Sequence, residues 1–275
     1  MVRPGGVDER LEVLRSNVDV DEGDVHSCLL VRPTLAAPAC QTSRVAVFVY
    51  DQPILERFPT IVGGVVHAVG LANGPAPPDL VEGFRAEQAG VLERLGTRPL
   101  SELPSVAAWR RTFRGFGVDP TAYRSAVEAL LRRLSKQGSI PSINTLVDLG
   151  NLVSIRHALP VAVFAQRAVP GSTTVRFATG SELFTDLGSG ERERVQPGEV
   201  IFVDDAGLVC ARRWCWRQAL ETAARPETTE VLVTVEGHHD GARADVAAAI
   251  ADVEGLLRRY TAPARVSSLV PEFPV

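Results

Sequence analysis

The heptapeptide RRWCWRQ, residues 212–218, brings three arginines, two tryptophans and a cysteine together. Guanidinium groups grip phosphate or carboxylate through paired hydrogen bonds, and indole rings stack on bases at roughly 1–3 kcal/mol per base. Read as a strand, the segment puts Arg212, Trp214, Trp216 and Gln218 on one side and Arg213, Cys215 and Arg217 on the other. If the tryptophans faced a core, Arg212 and Gln218 would share their side and need partners, because an unpaired buried charge is costly. Two readings stay open: a surface for nucleic acid, and an aromatic strand packed beneath helices with its arginines paired to acids.

Other chemistry-bearing residues are sparser. Glu236 closes the apolar run VLVTVE and precedes GHHD, so its carboxylate either enters a pocket or turns to solvent. His238, His239 and Asp240 are adjacent, but neighbouring histidines on a strand or turn diverge, which disfavours a metal site. No metal and no cofactor is expected, since no nucleophile elbow, phosphate-binding glycine loop or zinc deaminase signature occurs. His157 reads as a structural hydrogen-bonding group. In YRSAVEALLRR, Arg124, Glu128, Arg132 and Arg133 share a polar helix face that is either solvated or part of a site.

The elements that must position these residues are legible as changes of period. VAVFVY and IVGGVVHAVGL read as strands, and DLVEGFRAEQAGVLERL as an amphipathic helix. In GVDPTAYRSAVEALLRRLSKQG, Asp119 is placed to cap a helix, Pro120 fits its first position, and Gly138 ends it. Ser142 is placed to cap the next helix, with Leu146, Leu149 and Val153 inward, Asp148 and Asn151 on a shared polar side, and Pro160 as the stop. VAVF, STTVRFA, GEVIFVD, GLVCARRWCWR and TEVLVTVE then alternate as strands, and residues 243–260 return to a helix. This order predicts an α+β fold of mixed layered sheets and helices. Residues 1–43 read as an N-terminal extension, partly helical or partly disordered; 44–262 form the domain, and 263–275 a C-terminal tail.

Composition narrows the function classes. The net charge of -4 excludes the global positive field of a duplex-coating protein, so any nucleic-acid contact is local and no DNA partner is expected. The four cysteines are neither zinc-spaced nor dense enough for a disulfide framework, and no run of eighteen apolar residues occurs. A reduced, cytoplasmic setting without membrane contact is expected. Oligomeric state is left open.

A family resemblance rests on several motifs in one order: AWRRTFRGFGVDPTAYRSAVEALLRRL, PSINTLVDLGNLVSIRHALPVAVF, GSELFTDLG, PGEVIFVD, RRWCWRQ and TTEVLVTVE. Together, over roughly Tyr50 to Glu236, the chain resembles the freestanding B3/B4 domain proteins. These are similar to the editing module of the β subunit of bacterial phenylalanyl-tRNA synthetase. The resemblance implies a trans-editing aminoacyl-tRNA deacylase, which hydrolyses the ester of a mischarged tRNA because an apolar pocket cannot strongly reject a near-isostere. The synthetase motif NYV…GQPMHAFD matches Asn151 and Pro160, but Ala162 and Ala165 stand at its histidine and aspartate positions. Glu236 matches the glutamate implied to contact the misacylated substrate, and Cys215 replaces the asparagine usual in RRWNWRQ.

On this resemblance Asn151 and Glu236 are the expected catalytic-site residues, positioning and recognising substrate. Arg212, Arg213, Trp214, Trp216, Arg217, Gln218, Arg124, Glu128, Ser142 and Asn144 are expected to bind the tRNA acceptor end and its amino acid. That amino acid is either tyrosine-like or an arginine analogue such as canavanine. Two rival readings are a non-catalytic RNA- or amino-acid-binding module and an interaction protein that recruits a partner through residues 1–43.

Overall fold

A computed structural model describes residues 48–166 and 171–270, all within one compact unit, Ser43–Val275. The expected N-terminal extension, 1–43, lies outside the described residues. The centre of the domain is a pair of long antiparallel strands, β2 (Val62–Val69) and β10 (Glu230–Gly237). β3 (Val161–Ala165) flanks β10, and β11 (Arg265–Leu269) flanks β2, giving the order β11-β2-β10-β3. The stretch from 263, expected as a tail beyond the domain, thus supplies an edge strand. Its RVSSL backbone pairs with β2 from Val69 to Val65, satisfying donors and acceptors that would otherwise be exposed.

Alternation along β10 explains the layers. Val231, Val233 and Val235 join one core with Leu80 and Phe84 of α2 (Pro78–Leu95), Leu149 and Val153 of α5 (Thr145–His157), and Ile250 and Val253 of α6 (Ala242–Thr261). On the opposite face Leu232 enters a second, aromatic core with Tyr50, Phe164, Phe202, Trp109 and Trp214. Consequently Thr234 and Glu236, in step with Leu232, also lie between layers. That second core is closed by a sheet ordered β1-β4-β7-β8-β9: Phe48–Tyr50, Thr173–Phe177, Val200–Asp204, Val209–Arg212 and Arg217–Gln218. β1 runs parallel to β4, and the other pairs are antiparallel. A short hairpin, β5 (Leu183–Thr185) with β6 (Arg192–Arg194), forms its own two-stranded sheet and packs through Phe184 against Ile201 and Val209 of β7 and β8. The arrangement is α+β, as the periodicity indicates.

Helix starts differ from those expected. α3 (Pro104–Gly115) precedes a turn in which Asp119 accepts the Thr121 amide at 2.9 Å instead of capping a helix. α4 (Ala126–Gln137) starts later, with Ser125 as cap for the Glu128 amide, and ends at Gly138 with φ 74°. Tyr123 therefore precedes the helix and is free to pack elsewhere. α5 is capped by Asn144, which accepts the Val147 amide at 3.0 Å and donates to Ala224 O at 3.0 Å. Ser142 lies outside the helix and donates to Asp148 Oδ2, while the Ile143 amide donates to Asp148 Oδ1. Asp148, expected on a polar face with Asn151, is fully buried because it holds this loop from within.

β2 packs close to α6 because Gly64 lacks a side chain; a Cβ there would stand 2.6 Å from Ile250 Cγ1 and 2.9 Å from Val246 Cγ1. Gly64→Ala should destabilise the domain by about 1–3 kcal/mol through overpacking, read as a lower urea midpoint. Ile250→Ala in the same chain should recover part of that loss, giving a less-than-additive double mutant.

Candidate functional site

Glu236 lies one residue from the end of β10, 2% exposed, facing the aromatic core. Its Oε1 accepts two hydrogen bonds, from the Tyr50 hydroxyl at 2.6 Å and from the Trp214 indole N–H at 2.9 Å. Oε2 accepts none from the described residues. Burial raises the carboxyl pKa to about 7, outweighing the stabilising Trp214 and Tyr50 donors. The Tyr50 phenol rises well above its usual value, through burial first and then the Glu236 charge. The cross-strand partner of Glu236 is Gly63, where a Cβ would stand 2.3 Å from the Tyr50 hydroxyl. A glycine at that register position leaves the room in which Tyr50 reaches the acid.

Beside Glu236 opens a pocket enclosing about 430 Å³, its mouth included. Its walls are largely apolar, from Pro160, Ala162 and Phe164 on one side to Phe202 and Ala211 on the other. Trp216, Arg217, Gln218 and Cys215 also line it, with Ala126, Val161, Trp214 and Thr234. The Cys215 thiol is held protonated by burial and by the neighbouring Glu236 charge.

RRWCWRQ is not a continuous strand. β8 ends at Arg212, β9 starts at Arg217, and residues 213–216 form the turn between them. Arg213 (φ 45°) and Trp214 (φ 59°) take the left-handed conformation, which costs about 1–2 kcal/mol per non-glycine residue. Tertiary contacts sustain it: the Trp214 amide donates to Val200 O at 2.7 Å, and the Ala126 amide of α4 donates to Cys215 O at 2.8 Å. The turn separates the two indoles. Trp214 is fully buried in a herringbone with Trp109, His238 and Phe58, at ring distances of 5.4, 5.2 and 5.3 Å. Trp216 remains half-buried at the pocket wall, edge-on to Tyr123 at 4.9 Å.

The arginines separate too. Arg212, 1% exposed, donates to Glu199 through Nε at 3.0 Å and Nη2 at 2.6 Å, and also pairs with Glu193. It is committed to the interior and takes no part in the pocket. Arg213 lies 3.8 Å from the Tyr123 ring centroid, 4.6 Å from that of Trp216 and 3.3 Å from Glu199. Arg217 is exposed, pairs with Asp186 at 2.8 Å and lies 4.8 Å from the Trp216 ring centroid. Gln218 donates to Val163 O at 2.9 Å and Thr222 O at 2.7 Å, covering the edge of β3.

The remaining expected site residues lie elsewhere. Asn151 lines a neighbouring cleft of about 910 Å³ that shares Val161 and Gln218 with the Glu236 pocket. Arg124 and Glu128 line a third cleft on the far side of the start of α4. Ser142 and Asn144 serve the loop and cap described above. His238 is buried, donating or accepting at Thr60 Oγ1 (3.2 Å), and burial lowers its pKa to about 3, leaving it neutral. His239 turns to Asp245 at 2.8 Å, and His157 to Asp252 at 2.8 Å. Tyr50 and Gly63 escaped the sequence reading; the consecutive glycines inside VGGVV signal close backbone approach, but not what approaches.

The chain belongs to the B3/4 domain family, whose model matches residues 108–251, over half its length. The match includes the hairpin turn and Glu236 but not β1 or β2, which bring Tyr50 and Gly63. An N-terminal fragment of the phenylalanyl-tRNA synthetase beta-subunit from Pyrococcus horikoshii is similar to it at 12% identity and a TM-score of 0.42. That alignment covers 80% of this chain and 50% of the fragment, so the chain spans about half the length of this relative. No curated protein matches the chain.

Two outcomes follow. Arg212→Ala should cost about 3–5 kcal/mol, because it removes both hydrogen bonds of the bidentate pair and leaves buried Glu199 only the longer contact with Arg213, whereas Arg217→Ala at the exposed pair should cost under about 1 kcal/mol in the same urea titration. Glu236 binds its proton more tightly folded than unfolded, so it lowers stability as pH rises from its usual 4.5 through about 7. Glu236→Gln should therefore raise Tm above pH 7, by an amount corresponding to at most about 3 kcal/mol, and the two proteins should converge at pH 4.

Proposed function

We propose that this protein is an aminoacyl-ester hydrolase of the editing type, which removes a wrong amino acid from the acceptor end of a tRNA. The observation that carries the reading is the buried Glu236 carboxyl, whose Oε2 accepts no hydrogen bond from the described residues, lining a pocket that adjoins a second, larger cleft. The amino acid occupies the Glu236 pocket, the terminal nucleoside occupies the Asn151 cleft, and the ester lies at the Val161–Gln218 divide that both share. Water adds to the ester carbonyl, the bond to the ribose oxygen breaks, and a free amino acid and a restored ribose hydroxyl leave. No side-chain nucleophile is required; a vicinal ribose hydroxyl orients the water, and polar groups at the divide support the oxyanion.

Glu236 reads the distal group of the amino acid. A guanidinium-type cation and a phenolic hydroxyl can each donate to Oε2, and pH separates them. A cation requires the ionised carboxylate, so its capture weakens as pH falls through about 7. A neutral hydroxyl donor lacks that strong dependence. Asn151 lies in the neighbouring cleft and not beside Glu236, an arrangement that also suits a module that binds an amino acid without hydrolysing its ester.

A panel of misacylated tRNAs, followed for ester loss, tests the proposal. Wild-type protein should release at least one amino acid bearing a distal donor well above the spontaneous rate, and Glu236→Gln should cut that rate tenfold or more or change the amino acid preferred. Binding without release across the whole panel would establish the non-catalytic module instead.

A further inference from the structure

The cleft on the far side of α4 holds more positive charge than its surroundings neutralise. Arg110, Arg124 and Arg132 line about 760 Å³ of space together with Ser101, Thr121 and a single carboxylate, Glu128. Glu128 Oε1 accepts from Arg110 Nη1 at 2.6 Å and stands 3.9 Å from Arg124 Nε. Asp119 accepts from the Thr121 amide, and its charge also acts on Arg110. Arg132 is exposed and has no ion pair among the described residues.

Two buried polar atoms beside this cleft also lack hydrogen-bond partners: Arg124 Nε, a donor, and Glu128 Oε2, an acceptor. Buried polar groups are nearly always satisfied, so an open donor beside an open acceptor points to a ligand that offers both functions. A phosphodiester with its neighbouring ribose does so: phosphate oxygens accept from guanidinium groups, and a ribose 2′-hydroxyl donates to carboxylate.

We infer that this arginine cleft binds the RNA backbone a short way upstream of the terminal nucleoside, with Arg124 and Arg132 on phosphate and Glu128 Oε2 on a ribose hydroxyl. Placement supports the assignment. Arg124 lines this cleft and Ala126 lines the Glu236 pocket, so two residues of chain connect them, at most about 7.6 Å between Cα atoms. Tyr123, immediately before Arg124, packs on Trp216 at the pocket wall. The two sites therefore adjoin along the chain at the start of α4. Arg212 and Arg213 are tied to Glu199 and Arg217 is paired with Asp186, whereas Arg132 has no ion pair among the described residues. The inference rests on the tRNA reading above but is tested apart from hydrolysis.

The test measures fluorescence anisotropy of an uncharged acceptor-stem RNA hairpin with a single-stranded 3′ end, across a salt series. Arg132→Ala should weaken binding about tenfold and lower the salt slope by about 0.7, as expected for one lost single-strand phosphate contact. Arg258→Ala, at a remote surface pair, should change neither. Deoxyribose in the 3′ end should weaken wild-type binding. Unchanged affinity and slope in Arg132→Ala, equal loss in Arg258→Ala, or capture of inorganic phosphate with no preference for RNA over the deoxyribose version would overturn the inference. Arg132-dependent RNA binding without ester hydrolysis would remove only the hydrolytic reading. Hydrolysis with RNA affinity indifferent to Arg132→Ala would remove only the cleft.

Discussion

The burial of one carboxyl group between two layers of structure, with both of its hydrogen-bond donors on the same oxygen, governs the geometry of the site. Glu236 is held from opposite sides: Tyr50 reaches it over the bare backbone of Gly63, and Trp214 reaches it from the hairpin turn. Two good hydrogen bonds do not repay the desolvation of the charged form, so the group is poised near neutrality. Such a carboxyl is a poor contributor to stability, and its charge state responds to any donor or cation placed beside it. Perturbed groups of this kind cluster at functional sites.

The hairpin turn connects this carboxyl to the rest of the surface. Its left-handed residues and bidentate Arg212–Glu199 pair orient Trp214 inward, while Trp216 stays at the wall among guanidinium groups. The aromatic and basic residues thus divide their work by depth. The innermost pair, Arg212 and Trp214, fixes the site, and the outer pair, Trp216 and Arg217, borders its opening. Gln218 closes the edge of β3, so that the Glu236 pocket and the Asn151 cleft meet at a defined divide.

The strands and most of the helices were legible because their buried faces repeat at period two or 3.6. Glu236 was legible as a strand-terminal acid, and Thr234 and Leu232 in step with it indicate the interlayer face. RRWCWRQ was not legible as a turn: it contains no glycine, asparagine or aspartate, and its positive φ angles are held by Val200, Glu236 and Ala126, which no local pattern reveals. Asp119 and Ser142 were plausible caps displaced by Ser125 and Asn144, each of which makes its cap bond a few residues later. The edge strand from Arg265 escaped notice because RVSSL carries little apolar signal and gains its structure from the exposed side of β2.

Under the proposed reading, Glu236 is the residue that meets the substrate. Titration of its side-chain carboxyl by carbon-13 NMR tests this most directly. The account predicts a midpoint near 7 and a downward shift when an amino-acid amide with a cationic side chain is added. A midpoint at the ordinary glutamate value, indifferent to every amino-acid amide supplied, would contradict it.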